Sequence, residues 1–529
     1  MRQANVGPWS PFRHPAFTVI WTATVVSNIG SWMYTAASAW LMTDLSADPL
    51  MVSLVQVASS LPIFLFALPA GAIADIVDKR RFLLAAETAI TAVAFVFAAM
   101  VAFGVVTPLL LLACAFLVGL GSAVTAPPYQ SIVPLLVPLE DLPPAVAANS
   151  VGVNISRAIG PALGGVITAG AGIAAPFWIN AISNLGSIGA LWWWKPPAGG
   201  GRELAAERVF GAMRAGIRYA RNNGPLRATL ARAIAFFLFA SAYWALLPLV
   251  ARRQIAGDAS LYGVLQGTIG IGAIAGAFFL SRLRARLGAD HLVAAGSVGT
   301  AITLVLFGVA SHPAEAIAAS FIAGVSWIAV LSTLNVSAQM ALPEWVRSRG
   351  LAIYVTVVFG AMTMGSVVWG QVARLAGLPG AHYIAAAGML VAIALTWQRK
   401  LHSGKGIDLT ASMHWPEPVV STEVVDDAGP VMVTIEYRVD AANRAAFLAA
   451  IRHQAGERRR DGAYWWGVFE DVSDPERFVE SFHVESWLEH KRQHTRVTRA
   501  DREIEERVRS FTIGEPHIRH LISAGLEDS

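Results

Sequence analysis

The sequence predicts an all-α membrane protein, with twelve transmembrane helices in two six-helix pseudo-repeats and a small soluble α+β domain at the C-terminus. The first observation behind this is where the charges fall. Of the 529 residues 55% are hydrophobic and only 14% are charged. Residues 1–398 hold 22 Lys/Arg and 13 Asp/Glu, whereas the much shorter 399–529 holds 18 and 23. So sparse a charge over 398 residues suits a lipid solvent, and the break near 398 marks a return to water. The second observation is a series of apolar stretches of bilayer-spanning length, which must be helical because hydrocarbon offers the backbone no partner. The third is a repeated interval. Val137-Pro138 precedes a span that ends at Gly164-Gly165, Leu342-Pro343 precedes one that ends at Trp369-Gly370, and Pro138 to Gly165 is the same interval as Pro343 to Gly370.

The spans are expected near 17–42, 50–74, 82–104, 108–128, 145–169, 174–194, 229–251, 261–281, 291–310, 314–338, 350–373 and 381–398. This gives a first half over 1–194, a cytoplasmic central loop over 195–228 and a second half over 229–398. A linker follows over 399–429, then a soluble domain over 430–525. Arg2 and Arg13 precede a long apolar stretch with no small-x-small cleavage site, which reads as a first span. Orientation follows from the basic residues. Arg2, Arg13, Lys79–Arg81, the Lys and Arg of 195–228, Arg282, Arg284, Arg286, Arg347 and Arg349 fall on one side, and only Arg252, Arg253 and Arg374 on the other. The positive-inside rule then puts both termini in the cytoplasm. The single cysteine, Cys114, excludes a disulfide framework. No phosphate-binding Gly-x-x-x-x-Gly-Lys-Ser/Thr loop occurs, so nucleotide-driven transport by this chain has no support.

The sharpest motif is Gly71-Ala72-Ile73-Ala74-Asp75-Ile76-Val77-Asp78-Lys79-Arg80-Arg81. It resembles the loop between the second and third spans of the major facilitator superfamily, although Ile76 and Asp78 stand where Arg and Gly are common. The resemblance implies a conformational switch in which Asp75 pairs with a basic residue and meets a neighbouring helix end, with Gly71, Lys79, Arg80 and Arg81 completing the motif. A second region runs from Tyr129-Gln130-Ser131 through Asn154-Ile155-Ser156-Arg157-Ala158-Ile159-Gly160-Pro161-Ala162-Leu163-Gly164-Gly165. It resembles the transmembrane secretion-effector branch, which includes enterobactin-type siderophore exporters. That resemblance implies efflux of a small organic molecule across a bacterial plasma membrane, with proton coupling. It does not name the substrate.

Polar groups inside apolar spans mark a cavity or an interhelical hydrogen bond. Asn28, Trp32, Tyr34, Gln56, Asn154, Arg157, Gln266 and Asn335 are the cavity candidates. Arg157 stands out, since a charge in a span needs a cavity, a partner or a route to the interface; gating and binding of an anionic ligand are both open to it. Glu87 is the candidate proton-coupling carboxylate, with a structural partner for nearby basic residues as its alternative.

In the tail, Val431–Val439 alternates as a strand, Ala441–Arg460 has helical spacing, and Tyr464–Val472 and Phe478–Val484 pair across Ser473-Asp474-Pro475. A long charged helix over Trp487–Phe511 and a strand near 516–522 complete a β-α-β-β-α-β order, a ferredoxin-like sandwich. The segments Asp461-Gly462-Ala463-Tyr464-Trp465-Trp466-Gly467 and Glu480–His490 resemble a soluble extension found in many actinobacterial and proteobacterial members of the secretion-effector branch, and the resemblance points to the antibiotic-biosynthesis-monooxygenase-like group, whose members often pair through their sheets. Two readings of the tail follow: a self-association or regulatory module, and a membrane-tethered monooxygenase or haem-handling enzyme. His453, His483, His490 and His494 have no established metal-ligand spacing and are expected to be solvated or structural. No catalytic residue, metal, cofactor or nucleic-acid partner is expected; the expected partners are a small-molecule substrate, the lipid bilayer and a second tail.

Overall fold

The computed structural model describes residues 7–76, 78–196, 209–401, 408–410, 412, 414–415, 420 and 424–524, without the side chains of 68, 71–76 and 209–212. The first half has six helices: α1 (Pro15–Leu45), α2 (Pro49–Ile76), α3 (Lys79–Ala102), α4 (Pro108–Leu136), α5 (Leu142–Ala171) and α6 (Ala175–Trp193). Then come α7 (Val209–Asn222), α8 (Gly224–Leu249), α9 (Ala259–Val309), α10 (Pro313–Met340) and α11 (Arg347–Thr396). Two of these are double. The helical path of α9 breaks at Gly288 (φ 74°, ψ 170°) and that of α11 at Gly377 (φ 75°, ψ 169°), a conformation only glycine adopts without strain. Among the described residues, seven helices are long and apolar enough to cross a membrane by length and composition, α9 and the segment Glu344–Thr396 included.

The repeated interval has a structural counterpart. Pro138 (φ −61°, ψ 157°) and Pro343 (φ −66°, ψ 162°) are both extended, and each starts a short 3-10 turn that leads into a long helix. Gly172, at the end of α5, has φ 87° and ψ 163°, close to the values at Gly377, and Pro138 to Gly172 spans as many residues as Pro343 to Gly377. Between them Gly165 and Gly370 each meet the opposite half. A Cβ on Gly165 would lie 2.8 Å from the Cα of Gly263 on α9, and one on Gly370 would lie 3.1 Å from the Cα of Leu50 on α2. Backbones that close exclude any side chain, which is how lipid-embedded helices gain dispersion contact without a hydrophobic drive. Ser60 and Thr363 add a buried hydrogen bond of 2.8 Å between α2 and α11.

The chain forms two compact units. One holds most of the first eleven helices; the other joins residues 207–229 and 336–353 to residues 401–529. In the second unit a four-stranded antiparallel sheet has the order β2-β3-β1-β4, from β1 (Val431–Arg438), β2 (Trp465–Asp471), β3 (Asp474–Val484) and β4 (His517–Ile522). Its core is one face of the sheet, Val431, Val433, Ile435, Tyr437, Phe478 and Phe482, packed on Phe447 and Ile451 of α12 (Arg444–Asp461) and on Val508.

Two sequence expectations are corrected. The segment 195–228 is not only a loop, because α7 lies within it, and its Arg218 makes a 2.8 Å ion pair with Glu489. The helix expected over 487–511 is two helices, α13 (Trp487–Arg496) and α14 (Arg499–Arg509). They separate at Thr498, where Thr498 and Asp501 form a reciprocal capping box that satisfies the first amides of α14.

Candidate functional site

The first half encloses a cavity of about 330 Å³ whose polar wall comes from Asn28, Glu87, Tyr129, Gln130, Asn180 and Asn184. Glu87 sits on α3, is 8% exposed, and its carboxyl accepts a hydrogen bond from the hydroxyl of Tyr129 on α4. Ser27 donates to the Asn184 side chain at 2.7 Å, which orients that amide along the wall.

A second cavity, about 340 Å³, is lined from both halves: Trp32, Asn154, Arg157 and Pro161 from the first, Trp244, Gln266, Phe278 and Trp327 from the second. Arg157 lies fifteen residues into α5, roughly 22 Å along the helix at 1.5 Å per residue. Its guanidinium carbon stands 5.2 Å from the centre of the Trp32 ring. The same helix provides the close crossing at Gly165, so the residues that bring the halves together also fix where Arg157 projects.

The structure places the predicted residues unevenly. Asn28 and Glu87 line the first cavity, and Trp32, Asn154, Arg157 and Gln266 line the second. Tyr34, Gln56 and Asn335 line neither; Tyr34 is packed between Phe97 and Phe177, with ring centres 5.7 and 5.3 Å away. The aromatic walls Trp244, Trp327 and Phe278 gave no sequence signal, because tryptophan in a span reads equally well as an interfacial anchor.

In the loop motif, the side chains of Gly71 and Asp75 lie outside the described residues, so the expected pairing of Asp75 does too. The basic end is described. Arg80 donates to the carbonyls of Leu191 and Trp192 at 2.9 and 2.6 Å, a cation on the C-terminal end of α6. Lys79 reaches the carbonyl of Ser131 at 3.5 Å, and Asp78 caps α3 by accepting the Arg81 amide at 2.8 Å. Asp78, the departure from the common motif, is thus the N-cap that starts the third helix. On the opposite loop side, Arg252 pairs with Asp44, and Arg374 lies 3.8 Å from Asp48.

The tail has a cavity of its own, about 520 Å³, walled by Trp415, Tyr437, Gln454, Arg458, His490, His494, Glu505 and His520 among others. Arg458 bridges Glu480 and Glu505 at 3.1 and 2.7 Å. Despite its burial, Glu505 is held down at about 2 by the Arg458 charge and by hydrogen bonds from His414 and Trp415. Burial pushes the imidazole of His490 down to about 3, so it is neutral at pH 7. The expectation of solvated or structural histidines resolves for His490 to a buried one. Its ring centre lies 5.0 Å from that of His494 and 4.7 Å from that of His520. No His/Cys/Asp/Glu group among the described residues has a metal-binding arrangement.

The sequence matches the transmembrane secretion effector family over residues 6–527. The chain belongs to that family. A staphyloferrin A transporter of Staphylococcus aureus is 32% identical over 144 residues, 27% of this chain and 36% of that protein. A macrolide efflux protein A of Streptococcus pyogenes is 26% identical over 152 residues, 28% of this chain and 37% of that one. These matches span little more than a third of each relative. Among solved structures, the nucleoside transporter NupG superposes with a TM-score of 0.56 at 12% identity, covering 73% of this chain and 99% of that one. A bacterial homologue of the human lysosomal transporter Spinster, inward-facing and unoccupied, gives 0.57 at 13% identity over 73% and 96%. These likenesses show a fold shared with those transporters, and the family match makes the chain a multi-pass membrane protein of the major facilitator type.

Proposed function

We propose that this protein is a secondary active exporter of a small organic molecule, working by alternating access through twelve crossings in two six-helix halves. The cavity shared by both halves carries this reading, because a site walled by each half changes its exposure when the halves rock about the Gly165 and Gly370 crossings. The twelve crossings are α1–α6, α8, the two parts of α9, α10 and the two parts of α11. Both termini lie in the cytoplasm of a bacterial cell on the basic-loop argument. The two curated relatives, one named for a siderophore and one for macrolide efflux, support export of a secondary metabolite, siderophore or drug.

Glu87 is the proposed proton carrier, as the only carboxylate among the described residues lining the two transmembrane cavities. The β-α-β-β-α-α-β tail is proposed as a ferredoxin-like module that self-associates through the sheet face carrying the exposed Trp465 and Phe469, which stack at 5.8 Å. The tail cavity keeps a second reading open, a tail that acts on a small molecule. Haem or flavin uptake, or oxygen consumption by the full-length protein, would establish that reading.

The test of export compares metabolites retained by a deletion strain with wild type, followed by uptake of the retained compound into everted vesicles. Accumulation that collapses with the proton gradient is expected. Unchanged export and unchanged drug tolerance across broad panels would overturn the function.

A further inference from the structure

The cavity between the halves has an unbalanced set of polar groups. Among the described residues that line it, Arg157 is the only charge and none is acidic. Among the described residues the guanidinium has no carboxylate or carbonyl partner, and its buried Nε has no hydrogen-bond acceptor. The indole N–H of Trp327 on the opposite wall is likewise buried without an acceptor. Both neutral amides already spend donors locally: Asn154 donates to the Ser150 carbonyl at 2.8 Å, and Gln266 to the Tyr262 hydroxyl.

A cation held in an apolar cavity with only the Trp32 ring for compensation is costly in the empty state. An oxyanion relieves that cost. A guanidinium offers parallel N–H donors that match a carboxylate, and such pairs strengthen where water is excluded. A cationic ligand would meet the same charge with no carboxylate to offset it, so the site rejects cations as well as accepting anions. The remaining wall is Trp32, Trp244, Trp327, Phe278 and aliphatic side chains, and a space of about 340 Å³ suits a compact aromatic or alicyclic body.

We propose that the exported substrate is an organic anion, with its carboxylate or comparable oxyanion on Arg157 and its apolar body in the tryptophan-lined part of the cavity. This rests on the export reading and adds the substrate's charge and shape.

The test uses the full-length protein in nanodiscs and three probes of one shape: 1-naphthoate, neutral 1-naphthamide and cationic 1-naphthylmethylammonium. Binding is followed by calorimetry and by quenching of tryptophan fluorescence. Naphthoate is expected to bind about ten-fold or more tighter than the amide, the ratio that one buried charge-assisted contact supplies. The ammonium should bind weakest. Arg157→Gln should abolish the preference for naphthoate, Arg157→Lys should keep part of it, and Trp327→Phe should weaken naphthoate more than the amide. Monodisperse elution with a wild-type circular dichroism spectrum shows that a variant is folded. Equal or tighter binding of the amide or the ammonium to wild type, or a preference that survives Arg157→Gln, overturns the proposal. In everted vesicles, gradient-driven uptake of neutral or cationic compounds with none of anions sinks this inference while export stands. No uptake of any compound, together with no metabolite retained by the deletion strain, sinks the export reading itself.

Discussion

At the scale of single residues, the tail is tied to the mid-chain helix by Glu489, which pairs with Arg218 of α7 at 2.8 Å and with Arg496 at 2.6 Å. All three side chains are largely buried. Glu489→Ala therefore strands two guanidinium groups, and truncating a buried pair costs about 3–5 kcal/mol. The expected outcome is faster limited proteolysis around α7 and α13 in the full-length protein, and wild-type protection in the variant would refute it. Glu457 carries a pH prediction. Burial, and then the nearby Asp501 charge, push its carboxyl up to about 9, against 4.5 for an ordinary glutamate. The folded form keeps a proton that the unfolded chain has lost, so this group's contribution fades as pH rises from about 4.5 towards 9. Glu457→Gln should leave amide exchange in α12 unchanged near pH 4.5 and slow it at pH 8. His490 has the opposite sign, because below about 6.5 the unfolded chain takes up a proton that the buried imidazole refuses until about 3.

The decisive elements are the crossings of α5 with α9 and of α2 with α11. Gly165→Val would push side-chain atoms into the backbone of Gly263 and Ala259, the latter's carbonyl 2.5 Å from even a Cβ. Overpacking of this kind costs about 1–3 kcal/mol, here at a surface that must also move. We expect a chain that still inserts and can be purified but has lost most export, measured as vesicle uptake per molecule; full uptake would show that the crossing tolerates separation. The crossings were partly legible: the matched interval, ending at Gly164-Gly165 in one copy and Trp369-Gly370 in the other, marked a duplicate. What they pack against was not legible, because close approach depends on two helices while a motif records one.

For the whole molecule, the tail forms one compact unit with residues 207–229 and 336–353. Deleting residues 400–529 would uncover the buried Tyr219, whose ring carries the Arg460 guanidinium at 5.6 Å. The truncated chain is expected at lower abundance but with unchanged export per molecule. Export abolished at normal abundance would make the tail part of the transport cycle. Glu87→Gln should uncouple export from the proton gradient while substrate binding persists; gradient-driven export surviving that change would reassign the coupling group.

By itself the sequence determined that the chain enters a bilayer, that its halves share a pattern, and that a charged α+β tail follows, because apolar runs, basic loops and strand alternation are local and each depends on its own stretch of chain. It also picked out Arg157 and Glu87, since a charge in an apolar run needs no neighbours to be conspicuous. Only the tertiary structure decided that Trp244 and Trp327 line one cavity with Arg157, that Tyr129 meets Glu87, and that Tyr34 packs between Phe97 and Phe177. Those outcomes depend on which helix faces which, and that is set by how closely the glycine crossings let the two halves approach.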